Sequence, residues 1–145
     1  MDQKSTDELT HEIKTATDIE DYFTENREQM LSQSLPEHLK LLLSLKGLGK
    51  ADVVRDSQLD RSYVYQIFSG ERKPSRDKLI ALAFGLRLCV EETCRMLKLS
   101  GNRELYARDE RDALILYALQ HQKTILETNE LLFAHAFSPL GVSKE

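Results

Sequence analysis

Between Lys50 and Pro74 the chain runs KADVVRDSQLDRSYVYQIFSGERKP, and the spacing of its apolar residues fits two short helices with a tight turn between them, then a loop. Val53 and Val54 belong to the first helix, Leu59 to the turn, and Val64, Ile67 and Phe68 to the inward side of the second. Asp60 is placed to accept from the free N–H groups that open the second helix. Its outward face is then left with Arg61, Ser62, Tyr65 and Gln66, all of them hydrogen-bonding side chains. Two helices joined by a short turn, the second presenting such groups from its first turns, suit a DNA major groove. Arginine can pair with guanine and glutamine with adenine through two hydrogen bonds each. These four residues are therefore the base-reading candidates, with Arg61 equally able to reach a phosphate. Tyr63 and Phe68 are assigned to the core or its flank.

The remaining apolar residues recur at helical spacing throughout, and no strand pattern, repeat or low-complexity tract interrupts them, so the expected fold class is all-α. Residues 1–33 read as an acidic helical extension with thin stripes at Leu9 and Ile13, and at Ile19, Tyr22, Phe23, Met30 and Leu31. Residues 34–101 read as the helix-turn-helix domain. Ser34 with Glu37 forms a capping box ahead of a core helix carrying Leu39, Leu42, Leu43 and Leu45, which stops at Gly47. A second helix runs from Lys50 to about Arg55, and a third from Asp60 to Ser69, closed by Gly70. Ser75 caps a fourth, and Val90 to Leu99 makes a fifth. Residues 102–145 read as a helical pair, opened by Asp109 and by a Thr124–Glu127 capping box, the last helix continuing to about Phe137. The wide apolar band from Leu114 to Leu132 serves equally well as a dimer contact or as an extension of the core.

Charge separates these regions. Of 145 residues, 20 are Lys or Arg and 24 Asp or Glu, a net charge of −4 that argues against a chain coating nucleic acid through bulk charge. From Met1 to Glu37 three basic residues face ten acidic ones, whereas from Lys46 to Lys78 eight basic residues face five acidic ones. The locally basic part coincides with the helix pair. Cys89 and Cys94 are spaced neither as a redox nor as a metal pair, which points to reduced thiols and a cytoplasmic setting. No signal peptide or membrane anchor is expected. The four histidines fall at no ligand spacing, and Gly47-Leu48-Gly49-Lys50 lacks the length and the Ser or Thr of a phosphate loop. No cofactor is implied, and no residue pattern supports an enzyme.

The run SYVYQIFSGERKPSRDKLIALAFGL, with LGKADVV upstream, resembles the lambda-repressor-like (Cro/C1, XRE) helix-turn-helix family over roughly residues 35–99. In that family the recognition helix ends in a hydrophobic residue, two variable ones and a glycine, followed by a short basic loop, a proline and a helix containing L-x-x-L-A. Here these are Ile67, Phe68-Ser69, Gly70, Glu71-Arg72-Lys73, Pro74 and Leu79 to Ala83. The resemblance implies a five-helix DNA-binding domain, with phosphate contacts from Lys50, Arg72, Lys73 and Arg76. The chain departs from the family at the turn, where Ser57 and Gln58 replace an apolar residue and a glycine. A positive φ there costs about 1 kcal/mol or more outside glycine, so a longer or differently shaped turn is expected.

The function expected from these observations is sequence-specific transcriptional regulation by a homodimer on double-stranded DNA. The competing expectation is a protein-interaction module, antitoxin-like or an adaptor, on the same fold, with a protein partner held by the N-terminal or C-terminal extension. The acidic front could also compete with phosphate for Lys50, Arg72 or Lys73.

Overall fold

The computed structural model describes residues 34–141. The acidic extension expected over 1–33, with its two apolar stripes, lies outside the described residues, as does 142–145. The described residues fold into helices without a strand: α1 Leu35–Lys46, α2 Lys50–Ser57, α3 Arg61–Ser69, α4 Arg76–Gly85, α5 Val90–Leu99, α6 Glu110–Gln120 and α7 Ile125–Ala134. None of them is long and apolar enough to cross a membrane.

Helix starts are fixed by side chains that accept from otherwise orphaned backbone N–H groups. Ser34 Oγ accepts from Glu37 N–H at 3.3 Å, and Ser75 Oγ from Lys78 N–H at 3.4 Å. Asp60 accepts from Ser62 N–H at 3.1 Å and Tyr63 N–H at 3.4 Å. Thr124 and Glu127 cap reciprocally, at 2.9 and 3.1 Å. Two helix ends differ from the sequence reading. α2 runs on to Ser57, two residues past Arg55, because the Ser57 and Gln58 side chains supply their own closure. α7 stops at Ala134 rather than near Phe137, since Ala136 turns to φ 64° and the Ala136 and Phe137 N–H groups return to the Phe133 and Leu132 carbonyls.

α4 is the hub. Every residue from Lys78 to Gly85 is buried, so this helix is enclosed on all sides, packing on α2, α5 and α7. Around it one apolar cluster takes Leu39 and Leu42 from α1, Val53 from α2, Ile67 and Phe68 from α3, and Met96 and Leu97 from α5. In α1 the buried residues are His38, Leu39, Leu41 and Leu42, so the inward stripe is rotated from the expected one. The same cluster takes in Ile115, Ala118, Leu119, Ile125, Leu132 and Leu140. Much of the Leu114–Leu132 band is therefore intramolecular core, while Tyr117, Leu126 and Phe133 stay exposed.

A reciprocal pair of ion pairs ties α6 to α4. Arg76 reaches Asp112 through two hydrogen bonds of 3.2 and 2.9 Å, and Arg111 reaches Asp77 through two of 2.9 and 3.0 Å. Buried Asp112 also accepts from Tyr106 N–H at 3.0 Å, so its charge is well satisfied. Further along, the Asn129 side chain exchanges two hydrogen bonds with the Leu140 backbone, at 2.9 and 2.7 Å, and anchors the end of the described chain. Both cysteines are unpaired; Cys89 is exposed as a residue, and partial desolvation of its sulfur is the main cause that pushes the thiol up to about 11.

Gly85 sits where α4 crosses α2. A Cβ at this position would lie 2.7 Å from the Val53 carbonyl oxygen and 2.9 Å from Ser57 Cβ. Neither neighbour is the free end of a side chain, so relief requires moving a helix. Gly85→Ala is expected to destabilise the fold by about 1–3 kcal/mol despite alanine's better helix propensity, as measured by urea denaturation.

His38 is 1% exposed, and neither ring nitrogen has a hydrogen-bond partner among the described residues. Burial, reinforced by Arg95 and opposed by Glu92, pushes its pKa down to about 4 from an ordinary 6.5. The unfolded chain therefore takes up this proton first as pH falls, and stability contributed by neutral His38 is lost between about pH 6.5 and pH 4. The linkage amounts to about 3 kcal/mol at most. Comparing melting temperatures at pH 7 and pH 4.5, the acid-induced drop should be smaller in His38→Met than in the wild type.

Candidate nucleic-acid interface

The turn between α2 and α3 is built from the two residues that depart from the family pattern. Gln58 takes the left-handed conformation, φ 61° and ψ 19°, and its amide donates to the Arg55 carbonyl at 2.8 Å. Buried Ser57 accepts from Leu59 N–H at 3.2 Å through its hydroxyl. A side-chain bond thus offsets part of the cost that a glycine would have avoided. Leu59 then drops into the core, and Asp60 opens α3.

α3 divides as its sequence implies. Val64, Ile67 and Phe68 are buried, whereas Arg61, Ser62 and Tyr65 are exposed and Gln66 is half-buried. Residues 61, 62, 65 and 66 recur at helical spacing, so they share the outer surface of one helix.

Three cations bound that surface. Lys50, the first residue of α2, places its ammonium 5.2 Å from the Tyr65 ring centroid and 5.7 Å from that of Phe68. It is thereby drawn against α3, and a cation over an aromatic face is favourable. At the other end Arg72 folds back: its backbone N–H donates to the Gln66 carbonyl at 3.2 Å, and its Nε donates to Gln66 Oε1 at 2.9 Å. The same guanidinium lies 5.1 Å from the Tyr63 ring centroid. Gln66 is thus oriented by an arginine, with its amide N–H₂ still able to donate. Lys73 is exposed in the same loop, beside exposed Glu71, whose carboxylate accepts from Ser69 Oγ at 3.2 Å.

Arg76 is set apart from that surface by its partners. Expected at a phosphate, its guanidinium is instead occupied by Asp112 and by the Arg103 and Glu104 carbonyls, at 2.8 and 3.1 Å. Its side chain is only 17% exposed. The residue that sequence reasoning undervalued is Tyr63. Half-buried, its ring carries Arg72 on the loop and also lies 5.3 Å from the Lys78 ammonium. Nothing in the spacing of residues 63, 72 and 78 signals that meeting, because it depends on how the loop folds back.

The surface is therefore a convex helix face of donors and acceptors framed by Lys50, Arg72 and Lys73. Such groups can pair with base edges and phosphates. Compared with known proteins, the chain matches no family model, no curated protein and no solved structure.

Proposed function

We propose that this chain is a sequence-specific DNA-binding regulator of the lambda-repressor-like helix-turn-helix class, with α3 entering the major groove. The observation that carries this reading is the Gln66–Arg72 hydrogen bond of 2.9 Å on the outer face of α3. It fixes a base-reading amide and a phosphate-reaching cation relative to each other before any ligand arrives, which lowers the ordering cost of binding. Arg61, Ser62 and Tyr65 complete the base-reading set. Lys50, Arg72 and Lys73 hold the backbone, and Arg76 acts from behind by bracing the start of α4.

Selection of bound sequences from a random duplex pool tests the reading. The wild type should enrich a motif, and Gln66→Ala should relax one position of it at a cost of about 1–3 kcal/mol. Lys50→Ala should weaken binding to all duplexes alike and lower the slope of log affinity against log salt by about 1. A pool that stays random after selection by the wild type at low salt would overturn the reading.

A protein contact is favoured by one further observation: Phe133 and Leu126, seven residues apart on α7, are 80% and 58% exposed. Side chains of this size left in water favour a covering surface, and a second copy of the chain gives the two-fold arrangement that palindromic half-sites require. Light scattering at tens of micromolar should then return a dimer mass for the wild type and a monomer mass for Phe133→Lys. A wild-type monomer would leave α7 to a different protein partner.

A further inference from the structure

Six of the seven described helices close in two ways. α1, α3 and α5 give way to Gly47, Gly70 and Gly101, each at positive φ, where glycine carries no steric penalty. α2, α4 and α6 give way to Gln58 at φ 61°, Arg87 at φ 56° and Gln122 at φ 52°. That conformation costs about 1 kcal/mol or more for a residue with a Cβ. All three of these long polar residues line one solvent-open cleft of about 1050 Å³; the three glycines do not, nor does Ala136, where α7 turns at φ 64°. Strained positions that keep a side chain where glycine would relax them tend to gather at working sites.

The cleft lies where the α2–α3 turn meets the α4–α5 and α6–α7 links, and it has two distinct parts. One is apolar, formed by Phe84, Leu88, Leu119 and Ile125, all buried against the core. The other is cationic. Arg55 and Arg87 converge on the single carboxylate of Asp56, with Arg55 at 2.9 and 3.2 Å and Arg87 at 3.2 Å. Arg55 also touches Asp52 at 3.3 Å, yet both arginine side chains remain about 60% exposed. Lys46, held by Glu92, and exposed Lys123 add positive charge, and the acids on the lining are Asp56 and Glu91. With Asp52 and Glu92 paired to Arg55 and Lys46, the four cations are balanced by four carboxylates, so the seat rests on the two exposed guanidinium groups rather than on net charge. Carboxylates take Nε and Nη2 of Arg55 and Nη2 of Arg87, so Arg55 Nη1 and the other two nitrogens of Arg87 are left to grip a second planar anion.

We propose that this cleft binds a small organic carboxylate, its anionic end on Arg55 and Arg87 and its apolar body along Phe84, Leu88, Leu119 and Ile125. The Gln58 and Gln122 amides supply neutral donors at the rim. The site stands apart from the outer face of α3, and the proposal holds whether or not that face binds DNA.

Calorimetric titration of the full chain with 4-phenylbutyrate, and with 4-phenylbutanol as its uncharged counterpart, tests the proposal. The acid should bind saturably at one site, about tenfold or more tighter than the alcohol. Arg87→Gly should weaken the acid about tenfold or more while melting no lower than the wild type, because glycine accepts the positive φ freely. Arg87→Gln, which keeps a side chain at that position, should lose the acid to the same extent. Absence of saturable binding, equal affinity for acid and alcohol, or undiminished binding in both Arg87 variants would overturn the proposal.

Discussion

The crossing of α4 over α2 at Gly85 is the contact on which the rest depends. With no Cβ at residue 85, the helices approach until the Val53 carbonyl and Ser57 Cβ occupy the space a side chain would take. That approach buries Ser57, and buried Ser57 is what receives the Leu59 N–H and shapes the turn into α3. The pose of α3 is thus set from behind, by helix packing, rather than by its own short length. A nine-residue helix has little stability alone, and its persistence comes from the apolar face it buries.

The C-terminal helices reinforce the same hub. Arg76-Asp77 at the start of α4 and Arg111-Asp112 near the start of α6 form two pairs of opposite sense, so each helix start carries both charges and neither is left uncompensated. Asp112 is nearly inaccessible, and removing one partner of such a pair leaves a buried charge at a cost of several kcal/mol. α6 and α7 are thereby committed to the core of the helix pair, and residue 141 packs within reach of the Ser57 carbonyl. Placing α6–α7 against α4 leaves the outer face of α3 clear and turns Phe133 and Leu126 outward.

Local chemistry was readable in the chain where one residue type has one physical use. Ser34, Asp60, Ser75, Asp109 and Thr124 each sit ahead of an apolar run, and each caps a helix. The split of α3 into Val64, Ile67 and Phe68 against Arg61, Ser62, Tyr65 and Gln66 follows from period alone. Gln58 was legible as an anomaly, because a glycine-like conformation was needed and glycine was missing; its bond to the Arg55 carbonyl was not. Long-range partners left no trace in spacing. The family resemblance implies a phosphate contact for Arg76, and only the fold brings Asp112, 36 residues away, to its guanidinium. His38 shares the face of Leu42, four residues on, yet spacing alone does not show that its ring nitrogens are left without partners among the described residues. The three strained caps at 58, 87 and 122 are unremarkable until the fold gathers them around one cleft.

We propose that the outer face of α3, with Lys50 and the loop carrying Arg72 and Lys73, meets DNA. Amide chemical-shift mapping of the full chain, titrated with a short duplex at low salt, tests it most directly. The strongest perturbations are expected at Lys50, from Arg61 to Gln66, and at Arg72 and Lys73, all lost together as salt is raised. Perturbations centred on α6 and α7, or none at any salt, would contradict it.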